Sequence, residues 1–275
     1  MNKKAVAHIA IYNIKRWKSR YHVLFGIIYF IILGDMMLRQ TRKLIPILGV
    51  KPSTFAFPLI WNSTLFLMMF FLGVILFFSD APFTDDMTNF VLIRCGKIKW
   101  MTAQIIYIML TSIFIALCFF LIQAVMLPPS LANGWGKFWG SIAQTNATMA
   151  TGSRMKFDYN ILWDYEPVEA CVVVFGICIL LCLFTGLFLY FFSLINLKTI
   201  GICILSGFTI LPHIVSGLDF TIFYWLSPYS WICLDTTMRS YNGSLPSIGY
   251  AYQMLMIWNL GLILLIFFRT KYSKE

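Results

Sequence analysis

The sequence predicts an all-α polytopic membrane protein, one domain over residues 1–275, and three observations carry that prediction. First, 60% of the 275 residues are hydrophobic, only 12% are charged, and 26 are Phe. A soluble domain carries roughly 25% charged residues and about half apolar ones. Second, six apolar runs approach the roughly 20 residues that a spanning helix needs. They lie near 22–38, 58–79, 101–127, 168–194, 199–216 and 249–268. Third, the basic residues segregate. An even number of spans puts both termini on one side, and thirteen of the 21 Lys and Arg fall there, leaving eight for the other. That bias makes the termini cytoplasmic.

The chain opens with a basic interfacial segment over 1–21. Within it, 4–21 reads as an amphipathic helix with Val6, Ala10, Ile14, Trp17 and Tyr21 on one face. Lys4, His8, Lys15, Lys18 and Ser19 line the other, so the helix is expected in the plane of the inner leaflet with Trp17 at headgroup level. Its six Lys or Arg, with no apolar core before span one, argue against a cleavable signal peptide. Span one carries Asp35 close to its outer end, where the side chain reaches water most cheaply. Arg39, Arg42, Lys43 and Lys51 then fall in the first outer loop, against the general charge bias. They suit lipid headgroups or an anionic substrate.

Between spans two and three, residues 80–100 form a bounded amphipathic segment. Thr84 is the expected N-cap, and Asp85 and Asp86 complement the helix dipole. Phe83, Met87, Phe90 and Val91 recur at helical spacing, Arg94 sits in the last turn and Gly96 stops the helix. The pattern fits a helix docked on a partner or an ordinary surface connector. Span three ends at Pro128-Pro129.

The outer loop 128–167 is rich in Gly, Ser, Asn and Trp, and Trp135, Trp139 and Trp163 are expected to rest on the bilayer surface. Asp158, Asp164, Glu166 and Glu169 near its end either bind a cation or cationic peptide, or are a solvated loop end. Asn146-Ala-Thr and Asn242-Gly-Ser match the glycosylation pattern. Between spans five and six, 211–248 is too apolar for an open loop and is broken by Pro212, Gly217 and Pro228. A re-entrant or interfacial pair of short helices fits, tolerated where it packs in protein or lines a cavity. Pro212, Trp225, Pro228 and Trp231 are the candidate outer gate.

Several chemistries are missing from the sequence. Its three histidines, His8, His22 and His213, are too far apart to share a metal. There is no protease motif and no Walker A loop, so neither catalysis nor a nucleotide site is expected in this chain. The seven cysteines include no CxxC, and five fall inside spans as apolar filler. The net charge of +10 resides beside membrane spans, which explains it by anionic lipids and not by nucleic acid.

Six spans, a basic N-terminal helix, a cytoplasmic helix between spans two and three, and broken outer helices between spans five and six together resemble the permease subunits of ABC-2 type transporters. Arg94-Cys-Gly-Lys-Ile-Lys-Trp100 is similar to the Arg-x-Gly-(basic)-x-x-Trp stretch of Gram-positive members. Leu226-Ser-Pro-Tyr-Ser-Trp231 resembles their "sPxsW" segment, whereas the long loop 128–167 departs from their tighter connection. The resemblance implies a coupling helix over 83–95 that docks on a separate ATP-binding cassette ATPase. Phe83, Met87, Phe90 and Val91 would enter its cleft, and Asp85, Asp86 and Arg94 would form the rim. It makes Lys97, Lys99 and Trp100, with Trp17, the membrane-surface anchor. It also implies a second permease copy or paralogue, ATP and Mg in the partner ATPase only, a plasma-membrane location, and export of an amphipathic or hydrophobic cargo. Two other classes stay open: a self-sufficient channel or secondary transporter, and a peptide-binding immunity protein that transports nothing.

Overall fold

The structure is a computed structural model that describes residues 3–15, 17, 21–80, 88–127, 134–145, 157–218, 221–237 and 245–272. Among these the regular elements are all helical. Five helices are long and apolar enough to cross a membrane. They are α2 (Tyr21–Leu48), α6 (Lys97–Met126), α9 (Pro167–Leu194), α10 (Lys198–Val215) and α12 (Ile248–Tyr272). Between and before them run α1 (Lys3–Lys15), α3 (Phe57–Ile60), α4 (Thr64–Phe78), α5 (Thr88–Cys95), α7 (Gly136–Gln144), α8 (Asn160–Asp164) and α11 (Ile222–Leu226). Two 3-10 turns, Pro228–Ile232 and Leu234–Thr236, follow α11.

The bundle is organised around α9, the most buried of the spans, which packs on α12, α6, α4 and α10. Its core face is unbroken because Val174, Ile177, Cys178, Leu181, Cys182 and Leu189 present small or branched side chains to those neighbours. The tight corner from α9 to α10 is a Schellman motif. Leu197 N–H donates to the Phe192 carbonyl at 2.9 Å and Asn196 N–H to that of Ser193 at 3.1 Å. Asn196 takes φ 59°, a left-handed conformation its short polar side chain tolerates.

Four boundaries differ from the sequence expectation. The first amphipathic helix stops at Lys15, and Tyr21 begins α2 and is exposed instead of extending the buried stripe. Next, α2 runs to Leu48, so Arg39, Arg42 and Lys43 are helical and not loop residues. At 28 residues it is about 42 Å long and outreaches a hydrocarbon core of about 30 Å. Arg42 closes an ion pair with Asp35 two turns earlier, which gives the misplaced cation a local partner. Gly49, at φ 64°, stops the helix with its N–H on the Ile45 carbonyl.

The third difference lies in the run 58–79, which is two helices with a break at Trp61-Asn62-Ser63. Three successive polar side chains, Asn62, Ser63 and Thr64, follow Trp61, and Ser63 is extended at ψ 104°. The 15 residues of α4 span only about 22 Å. Finally, Pro212 does not interrupt α10, which continues to Val215. The chain breaks after that, at Ser216-Gly217.

Candidate functional site

The two ends of the bundle are built differently. At one end, α5 and α6 meet at Gly96, whose φ of 83° is a conformation that favours glycine. Gly96 N–H donates to the Leu92 carbonyl at 2.9 Å, and Trp100 N–H donates to the Gly96 carbonyl at 3.2 Å. One residue thus ends one helix and starts the next. The apolar face of α5 is mostly uncovered. Phe90 is 63% exposed and Ile93 83%, Leu92 alone of these packs on the bundle, and Arg94 is exposed in the last turn. Ile93 was not among the residues expected to dock, although its spacing from Phe90 puts both on one helical face. Phe83, Thr84, Asp85, Asp86 and Met87, and the side chain of Val91, lie outside the described residues.

Two of the expected surface anchors point inward. Trp100 is 8% exposed, and its ring meets Tyr190 of α9 edge-on at 6.4 Å. Trp17 sits among Phe77, Tyr107 and Phe114, and its Nε1–H donates to Tyr107 Oη at 2.7 Å. Both indoles therefore fasten the basic segments to the bundle instead of floating at headgroup level. Their N–H and ring suit either role, and packing decides between them. Val6 and Ala10 are buried, Ile14 packs on the core, and α1 lies along α6. Lys97 is exposed and Lys99 half-buried, as a surface position requires.

At the other end the loops form a packed cap. Trp135 and Trp139, expected on the bilayer surface, are buried, whereas Trp163 is 76% exposed as expected. Trp139 Nε1–H donates to Ser53 Oγ at 3.1 Å, and Ser53 Oγ donates to the Trp135 carbonyl at 2.9 Å. Trp135 Nε1–H reaches the Tyr165 carbonyl at 2.9 Å, and Tyr165 Oη reaches that of Thr237 at 2.7 Å. This relay joins four loop segments far apart in sequence, so no local pattern announces it.

The cap also answers the break in the second apolar run. Trp61 is buried among Phe57, Phe66, Phe70 and Phe119, with ring centroids 4.8–5.7 Å apart. Its carbonyl accepts Cys233 Sγ–H at 2.9 Å, and Asn62 Oδ1 accepts Asp235 N–H at 3.3 Å. One irregular segment thus supplies partners to the Trp61 carbonyl and the Asn62 side-chain oxygen of another. Burial and then the Asp235 carboxylate push the Cys233 thiol up from its ordinary range, so it stays a neutral donor.

Of the gate candidates, Trp225 and Trp231 meet on Tyr250, at 4.8 and 5.4 Å between ring centroids. Trp231 Nε1–H donates to the Tyr224 carbonyl, and Tyr250 Oη to that of Trp225. Pro228 is buried at the head of the 3-10 turn, where Tyr229 reaches Thr185 of α9 at 2.9 Å. Pro212 is buried on α10, a helix that packs on that turn. Tyr250 is the residue that gathers the cluster, and sequence reasoning passed it over. Of the loop acids, Asp158 is engaged locally. Asp158 Oδ1 accepts Asn160 N–H, and Asp235 accepts Asp158 N–H. Among the described residues no group of His, Cys, Asp and Glu is arranged to hold a metal, and the seven cysteines are unpaired. Asn146 and Asn242 lie outside the described residues.

No protein-family model, curated protein or solved structure matches the chain.

Proposed function

We propose that the chain is the permease subunit of an ATP-driven ABC-2 type exporter, with α3 and α4 together serving as one of six spans. The observation that carries the proposal is the α5 corner. A short helix with exposed Phe90 and Ile93 joins a spanning helix through a single glycine. Such a face is what a separate ATPase needs to push on, and an amphipathic helix in a partner's groove is a recurrent mode of recognition. Force applied to α5 passes through Gly96 into α6, which Trp100 ties to α9 and Trp17 ties to α1. In this reading both termini and α5 are cytoplasmic, the protein sits in the plasma membrane, and two permease chains enclose an amphipathic or hydrophobic cargo. The cap forms the outer closure of that path, with Trp225, Pro228, Trp231 and Tyr250 as its hinge-side packing.

The test is co-purification with an ATP-binding cassette ATPase co-expressed with this chain. Phe90→Asp with Ile93→Asp is expected to abolish association, and Arg94→Glu to keep association while uncoupling ATP hydrolysis from efflux. Unchanged efflux in both would remove the coupling role. Solute flux through the purified chain without ATP would favour a self-sufficient channel.

A further inference from the structure

Two buried glutamines of α6 hold stranded amide atoms, and two donors on the elements that α6 packs against are stranded as well. Among the described residues, Gln104 Oε1 and both amide atoms of Gln123 lack a hydrogen-bond partner, as do Tyr190 Oη and Trp61 Nε1. None of these four side chains is more than 2% exposed. A polar group buried and left unpaired is costly, and most of all in apolar surroundings.

The two mismatches share one geometry. Tyr190 meets the ring of Trp100, and Gln104 lies four residues on, one turn along the same face of α6. Trp61 meets the ring of Phe119, and Gln123 again lies four residues on. A single displacement of α6 toward its own N-terminus, by four residues or about 6 Å, therefore carries both glutamines to the places those rings occupy. We propose that α6 has this second register, in which Tyr190 Oη–H donates to Gln104 Oε1 and Trp61 Nε1–H donates to Gln123 Oε1. The described register matches ring with ring, and the second matches polar group with polar group. One-turn shifts of one packed element past another are a known form of switch. The hydroxyls of α6 do not oppose the slide, since Thr102, Thr111 and Ser112 each donate to the carbonyl four residues back. Its neighbour α12 is pinned by contrast, with Tyr252 Oη–H and Asn259 Nδ2–H donating to the Val173 and Leu180 carbonyls of α9. Trp100 then emerges toward the membrane surface, a level that also suits an indole. Trp17, bonded to Tyr107, and α5, joined through Gly96, travel with α6. The second register needs no ATPase and stands apart from the permease reading.

The test is the distance between Ile98 on α6 and Val168 on α9, two exposed positions at opposite ends of this helix pair. Spin-labelled unnatural residues there leave the seven native cysteines untouched, and the full chain is measured in lipid nanodiscs. The wild type is expected to show two distances about 6 Å apart, the longer one marking the shifted register. Gln104→Leu with Gln123→Leu is expected to retain only the shorter distance. Tyr190→Phe, which removes one hydroxyl and little volume, is expected to lower the longer-distance population about fivefold, one hydrogen bond being lost. A single distance in the wild type, or two that survive the double Leu variant, overturns the second register. Thermal unfolding supplies an independent reading. The double Leu variant is expected to unfold at a higher temperature than the wild type, and a lower one means that the amides were already paired, which overturns the proposal as well.

Discussion

The cap and the α5 corner are both made of short irregular pieces between spans, yet they handle apolar surface in opposite ways. The cap hides it. Trp61, Trp135, Trp139 and Trp231 are all buried, and three of the four indole N–H groups have carbonyl or hydroxyl partners. The corner shows it, with Phe90 and Ile93 outward and one half-buried leucine holding the helix down. Interlocked loops resist displacement, whereas a helix pinned at one glycine responds to what touches it. In the proposed function, closure falls to the cap and reception to the α5 corner.

The contrast breaks most visibly at Trp139. It is 0% exposed and joined to Ser53, so Trp139→Ala is expected to cost about 3–5 kcal/mol. Trp163→Ala, on the same outer loop but exposed, is expected to change stability by less than about 0.5 kcal/mol. Thermal unfolding in detergent compares the two directly. Equal shifts would mean that the cap is a loose interfacial loop. Tyr165→Phe comes next. It removes the donor to the Thr237 carbonyl and strands a buried acceptor, with an expected loss of about 1–3 kcal/mol. Protease sensitivity of the 157–167 segment is the companion measurement, since the relay is what holds it.

Five of the six expected spans were legible because apolar runs of that length have one solution in lipid. So was the broken outer segment, through Pro228 and Gly217. The cap was not. Trp suits an aromatic belt and a packed interior equally well, and only Ser53, more than eighty residues away from Trp139, distinguishes them. The break at Trp61 left a trace in the polar triple Asn62-Ser63-Thr64, hidden inside a strongly apolar run. At the corner, Phe90, Arg94 and Gly96 could be read from local helix chemistry alone. Trp100 could not, because its partner Tyr190 belongs to another span.

Near the cap end of α2, the Asp35–Arg42 pair offers a milder test. Both groups are partly exposed, so Arg42→Gln is expected to cost only about 0.2–1 kcal/mol, less at high salt. A larger loss, measured by unfolding at low and high salt, would make the emerging end of α2 part of the cap's locked structure.

The smallest effect on stability belongs to α5, and its smallness carries the argument. Phe90→Asp and Ile93→Asp replace exposed side chains, so the isolated chain is expected to lose less than about 0.5 kcal/mol. Exposed apolar surface gives the isolated fold little, and selection for folding alone does not hold it in place. In the proposed function, Phe90 and Ile93 are the surface that a partner would cover. If either substitution lowered the unfolding temperature as far as Tyr165→Phe, α5 would be another packed element and the two ends would not differ in kind. Near-silent unfolding together with lost partner binding separates the two roles, because a helix that contributes little to its own fold can be moved without unfolding it.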